Sequence, residues 1–277
     1  MKPLQAFVEI CIHLSRKPVC LTSLSGFHVK HGVPVELVRV FEEQLELWGV
    51  SLEPERTEAL ALYAEKLGAY DRANVVGTRD IGRLWLDHVL DSLSCLLYEP
   101  LRRANSLVDV GAGGGMPGIP LHLAVGFGRV CLLESTGKKA EFLRYAVSGL
   151  EVGGVEVVNR RAEEIGHIGD YRANFEAATV RAVAPLDVIS EYCLPLLKPG
   201  GLMIAMKGRV EGEERRAGEK AAGVLGGEIE TVVQVPFSEE IESKYRHLIV
   251  IRKVRHTPDH YPRKPGTPRK SSLGAQE

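Results

Sequence analysis

The stretch LVDVGAGGGMPGIP, residues 107–120, carries the clearest chemical signal in the chain. It runs from an apolar strand-like segment through a glycine turn into a helix start. Gly111, Gly113 and Gly115 let the backbone pass close to a ligand, because a glycine has no side chain to keep it away. A GxGxxG spacing is present at Gly113, Gly115 and Gly118. Alone that motif is weak, since both nicotinamide and S-adenosylmethionine folds use such turns, and a tight turn without ligand is the bland alternative. Glu134 follows some twenty residues later, at the end of the next apolar run. A carboxylate there can accept hydrogen bonds from both hydroxyls of a ribose. The two features together predict an adenosine-containing cofactor.

These residues need elements to hold them. Residues 34–48 read as a helix, with Pro34 in its first turn, Gly49 after its end, and Val38, Phe41, Leu45 and Trp48 as one buried stripe. A second helix starts near Pro54 and carries Leu60, Tyr63, Leu67 and Tyr70. A third spans about Ile81–Tyr98, with Leu84, Trp85, Leu93 and Leu96 on its apolar face. From residue 106 the period changes. Short runs rich in Val, Ile and Leu occur at 106–110, 130–134, 155–158, 176–180, 202–206, 230–235 and 246–254, with helical segments such as 138–150 and 185–197 between the earlier ones. Strands alternating with helices predict an α/β fold with a parallel, doubly wound sheet. The short link before the last strand predicts an antiparallel edge. The expected organisation is an N-terminal extension (1–32), a helical subdomain (33–104), a cofactor-binding domain (105–255) and a basic, Pro-rich tail (256–277).

Composition narrows the class. The chain has 277 residues, 44% hydrophobic and 26% charged, which suits a soluble globular protein and excludes a collagenous or wholly disordered one. No apolar run reaches the ~18 residues of a membrane span. Residues 1–32 contain LQAFVEICIHL, interrupted by Glu9 and His13, which fits a signal peptide poorly. Five cysteines, with no CxxC pair, predict free thiols in a reducing compartment. His256 and His260 are separated by Pro258, so no metal site is expected there. Between Arg252 and Lys270 lie seven basic residues and one acid, a charge of +6. The net charge is −1, so the remainder carries −7. A basic tail on an acidic body points to a polyanionic partner.

Two features favour one cofactor. LLKPGGLMIAMKG places a Pro-Gly-Gly turn before the fifth strand, and the closing pair brings the sheet to seven strands. Both look like a class I S-adenosylmethionine (SAM) methyltransferase, a Rossmann-like fold. A dehydrogenase would usually need a second catalytic domain. The order of further blocks is more specific: HVLDS (88–92), GAGGGMPGIPL (111–121), LLESTGKKAEFLR (132–144), RAEE (161–164), VRAVAPL (180–186), AMKG (205–208), RHLIVI (246–251) and YPRKPGTPRKSSL (261–273). Over roughly residues 35–273 the chain resembles the RsmG (GidB) family of 16S rRNA guanine-N7 methyltransferases.

The resemblance implies S-adenosyl-L-methionine as cofactor, 16S rRNA or the small ribosomal subunit as partner, a cytoplasmic location and a monomer. It implies that Gly111 and Met116 line the cofactor, that Glu134 holds the ribose, and that Ala162 and Glu163 flank the adenine. Arg181 would contact cofactor or substrate; its bland role is an ion pair with a nearby acid. His88, Asp91 and Ser92 share a helix face, where they either shape the substrate mouth or tie the helices to the sheet. Asn74 matches a family loop residue and is otherwise a turn residue; Lys138 and Lys139 read as a solvated face. Asp87 stands where relatives tend to have Arg, and residues 69–80 are looser than the family's loop. Arg263, Lys264, Arg269 and Lys270 are expected to contact RNA phosphates, or else to form a solubilising tail. A methyltransferase for a small molecule or protein, and a non-catalytic SAM- or RNA-binding module, remain the rival functions.

Overall fold

The computed structural model describes residues 31–209, 212–241 and 245–275. The apolar stretch 4–14, Cys11 and Cys20 lie outside the described residues. The seven strands are β1 (Ser106–Val110), β2 (Arg129–Leu133), β3 (Val155–Val158), β4 (Phe175–Arg181), β5 (Leu197–Lys207), β6 (Gly227–Gln234) and β7 (His247–Lys253). They form one sheet in the order β3-β2-β1-β4-β5-β7-β6. The first five are parallel to one another. β7 runs antiparallel and enters between β5 and β6, so β6 rather than β7 forms the edge.

Side chains alternate across the pleat and feed two cores. Leu132, Ile204 and Val250 belong to one. Cys131, Leu133, Met203, Ala205, Ile249 and Ile251 belong to the other. The first face is covered by α1 (Val35–Leu47), α2 (Pro54–Ala69), α5 (Gly118–Val125) and α6 (Gly137–Leu150). The second is covered by α7 (Ala162–Ile165), α8 (Leu186–Cys193) and α9 (Gly212–Leu225).

The expected third helix is helical but not uniform. It runs through α3 (Ile81–Arg83), a π-helical segment (Leu84–Leu90), α4 (Asp91–Leu93) and a 3₁₀ turn (Ser94–Leu97). The wider π turns re-aim side chains relative to an α-helix, and such segments often sit at functional sites. Trp85 anchors this run: it is fully buried, stacks on Phe41 at 4.2 Å, and donates its indole N–H to the Leu37 carbonyl at 3.2 Å. Gln44 and Trp48 of the first helical layer donate to the Pro236 carbonyl, at 3.0 and 2.6 Å, and so tie it to the β6–β7 connection.

The C-terminal segment departs most from expectation. Its composition suggests a solvated tail without core contacts. Instead it docks on the second face. Arg172 donates to the carbonyls of Tyr261 (2.7 Å) and Thr257 (2.9 Å), and His167 Nε2 lies 2.6 Å from the Pro262 carbonyl. The short helix α10 (Thr267–Lys270) follows, and Leu273 is buried. Much of the counted positive charge is engaged. Arg252 pairs with Glu230 at 2.6 Å. Lys253 is 1% exposed and donates to the Leu225 carbonyl; burial, with Arg172 and Arg255 nearby, pushes its amine down to about 7. Arg263, expected to meet RNA phosphate, is turned inward: its guanidinium holds the buried Glu191 carboxylate at 2.6 and 2.9 Å.

That pair carries a prediction. Removing Arg263 leaves Glu191 buried and uncompensated, which costs about 3–5 kcal/mol. Arg263→Ala is expected to lose stability of that order in urea unfolding. An unchanged midpoint and slope would show that the tail is not packed as described.

Candidate functional site

The candidate site lies at the carboxyl ends of β1, β2 and β4, where open α/β sheets bind ligands. The glycine turn after β1 demands left-handed backbone at Gly111 (φ 73°), Gly113 (φ 58°) and Gly115 (φ 94°), which side chains resist. A Cβ on Gly111 would lie 2.6 Å from Val183 Cγ2, so even alanine is excluded there.

Three side chains fix the turn. Asp109 of β1 is fully buried and accepts the Gly118 N–H at 2.9 Å and the Thr179 hydroxyl at 3.0 Å. Tyr63 of α2 donates its hydroxyl to the Gly114 carbonyl at 2.5 Å. Burial holds that phenol far above its ordinary range, so it stays a donor. Glu134, just past β2, accepts the Gly113 N–H at 2.9 Å through one oxygen and the Thr136 N–H at 2.7 Å through the other. Each carboxylate oxygen retains a second lone pair, enough for the paired hydroxyls of a ribose.

A cleft opens beside this turn. It is lined by Gly111, Leu133 and Ser135, by Arg160, Arg161, Ala162 and Glu163, and by Val183, Tyr192 and Arg269. Glu163 is 4% exposed and its Oε1 accepts the Gly266 N–H at 3.0 Å. Of the expected cofactor residues, Gly111, Ala162 and Glu163 line this cleft, whereas Glu134 meets the turn at Gly113 and Met116 packs toward Arg181. The lining combines the apolar side chains of Val110, Leu133 and Val183 with the Glu163 carboxylate and the guanidinium groups of Arg160, Arg161 and Arg269.

A second cluster adjoins the glycine turn through Met116. Asp91 is fully buried and gathers two guanidinium groups. Arg181, at the end of β4, donates to Oδ2 at 3.0 Å. Arg246, just before β7, donates to Oδ1 at 2.8 Å and to Oδ2 at 2.9 Å. Arg181 also reaches His88 Nδ1 and Met116 Sδ, each at 3.3 Å. A guanidinium only donates, so His88 accepts at Nδ1 and carries its proton on Nε2. The expected residues His88, Asp91, Arg181 and Met116 thus form one contiguous group. Ser92 instead donates to the His88 carbonyl at 2.6 Å. Lys138 is exposed and Lys139 half-buried, and Asp87 pairs with Arg83 at 3.3 Å.

Sequence reasoning passes over four residues here. Asp109 looks like any strand acid, and Tyr63 like any core aromatic. Arg246 is visible only as the first residue of a strand motif, and Tyr192 lies inside an apolar helix. The described residues contain no cluster of three or more metal-binding side chains. Cys95, Cys131 and Cys193 are buried, and burial pushes all three thiols up, away from nucleophilic thiolate.

The strand order, glycine turn and strand-end acid define a methyltransferase-type Rossmann fold. Among solved structures, the O-methyltransferase TomG from Streptomyces achromogenes, in complex with SAM, shares this fold with a TM-score of 0.51 at 18% identity, covering 80% of this chain and 100% of that one. The family model GidB, rRNA small subunit methyltransferase G, matches residues 56–248, and the chain belongs to this family. Similar relatives bear the name ribosomal RNA small subunit methyltransferase G. That of Rubrobacter xylanophilus is 49% identical over 256 residues, 91% of this chain and 97% of the relative. That of Bacillus subtilis is 36% identical over 237 residues, 85% and 98% respectively.

Asp109 yields a pH prediction. Burial raises its carboxyl to about 6, partly offset by the Gly118 and Thr179 hydrogen bonds. A folded value above the unfolded one gives a contribution complete below about pH 4 and lost as pH rises through 6. Relative to Asp109→Asn, which does not titrate, the wild type should lose roughly 2 kcal/mol of unfolding free energy between pH 4 and 7. A difference that stays constant across that range would contradict the assignment.

Proposed function

We propose that this chain transfers the methyl group of S-adenosyl-L-methionine to N7 of a guanine in 16S rRNA of the small ribosomal subunit, in the cytoplasm. The observation that carries the reading is the pairing of a cleft beside the glycine turn with a fixed, positively charged cluster, Asp91 with Arg181 and Arg246. Family membership and the printed names of the relatives support the RNA substrate.

When bound, the cofactor supplies an electrophilic methyl group on a sulfonium. The chain's own residues do the rest. Glu134 and the glycine turn hold the cofactor at the sheet's carboxyl edge, and Ala162 and Glu163 bound its adenine end. Arg181, braced by Asp91, stands next to Met116 of the turn and orients the incoming base. Guanine N7 has a lone pair and no proton, so its attack requires alignment and exclusion of water rather than proton removal. His88 accepts from Arg181 and acts by positioning it. Lys264 and Lys270, exposed at the tail, contribute salt-sensitive phosphate contacts.

The test is single-turnover methyl transfer to undermethylated small subunits at saturating RNA and SAM. The rate should be flat from mildly acidic to mildly alkaline pH. His88→Ala should lower it without creating or removing a midpoint, and Arg181→Ala should lower it further. Methylation of an exocyclic amine or hydroxyl requires a base, which shows as a limb in the profile. A limb near neutrality that vanishes in His88→Ala would overturn the N7 reading; no transfer to the subunits would overturn the substrate.

A further inference from the structure

The C-terminal segment reads in sequence as an RNA-binding tail, yet it reaches the cofactor cleft. Three contacts bring it there. Arg263 is locked to Glu191 of α8. The Gly266 N–H is donated to Glu163 Oε1 at 3.0 Å, directly onto a cleft-lining carboxylate. Arg269 of α10 donates to the Val183 carbonyl at 3.0 Å, and Val183 is the residue packed over Gly111. Arg269 and Tyr192 lie on the cleft wall together with Ala162, Glu163, Val183 and Gly111. The segment is thus anchored at one point and touches the cleft at two.

We propose that this segment is a structural wall of the cofactor site, with Arg269 as a binding residue for the adenine end of the cofactor. The proposal rests on the SAM-dependent reading above and extends it to residues with no place in the glycine-turn motif. An aromatic base presents a π face, and a planar guanidinium is the side chain best suited to lie against it. The Gly266 amide holds one oxygen of Glu163, which fixes the carboxylate so that its other oxygen can accept from an exocyclic amine. Cofactor retention and tail docking are therefore coupled: what lifts the tail opens the adenine end. Arg269 acts here on the cofactor rather than on RNA phosphate.

The test uses the full chain without RNA and measures binding of S-adenosylhomocysteine and of adenosine by calorimetry. Arg269→Ala should weaken both ligands by about tenfold. Arg269→Lys, which keeps the charge but not the plane, should fall between. Lys220→Ala, a charge-matched change on the exposed side of α9, should bind as wild type does. Unfolding curves of Arg269→Ala should match wild type, since Arg269 is exposed and the Arg263–Glu191 anchor remains. Unchanged affinity in Arg269→Ala would overturn the proposal while leaving the SAM reading intact. A wild type that binds neither S-adenosylhomocysteine nor SAM would instead overturn the reading on which it rests. Weakening of homocysteine-containing ligand but not of adenosine would place Arg269 away from the adenine and would also overturn it.

Discussion

The architecture of the site depends on one buried carboxylate. Asp91 comes from the helical layer, Arg181 from the end of β4 and Arg246 from the entry to β7, and all three meet with Asp91 fully out of water. A lone buried carboxylate would be untenable, and the two partly exposed guanidinium groups supply its counter-charge. The triad therefore forces the helical layer to seat on the carboxyl edge of the sheet. It also fixes Arg181 against Met116, so the positive group facing the glycine turn has a set position before any ligand arrives. Pre-set charge of this kind costs no reorganisation when reactants meet.

The same logic recurs around the cleft. Asp109, Glu134 and Glu163 each hold a backbone N–H: those of Gly118, Gly113 and Gly266. Three carboxylates thus set the glycine turn, the start of α5 and the C-terminal segment. The turn's backbone strain is confined to glycines, and its neighbours hold it in one shape. The chemistry proposed for the site asks for little else. With the described thiols buried and His88 engaged at Nδ1, the arrangement favours a nucleophile that arrives with its own lone pair.

Much of this was legible in the sequence. The 3.6-residue stripes of Phe41 and Trp48, the short Val-, Ile- and Leu-rich runs of the strands and the GAGGG turn each carry a local physical signature. Glu134 could be found because its distance from the turn is set by one helix and one strand. The π-helical stretch at 84–90 could not, because its residues are ordinary helix formers. Arg246 and Asp91 are 155 positions apart, and no local pattern joins them. The tail misled for a related reason. Prolines and basic residues have the composition of a solvated terminus, and only the distant Glu191 and Glu163 reveal that Arg263 and Gly266 are tied down. Partners brought together by the sheet order are outside what spacing alone can express.

The role of Asp91 is tested by a double-mutant cycle on unfolding free energy, built from Asp91→Asn, Arg246→Gln and the pair. Buried charge pairs broken on one side lose about 3–5 kcal/mol, and much of that loss is shared when both partners are changed. Each single variant is expected to be strongly destabilised and the double variant to lose less than the two together, with a coupling of roughly 1–3 kcal/mol. Additive losses, or single variants as stable as wild type, would contradict the claim that Asp91 joins the helical layer to the sheet.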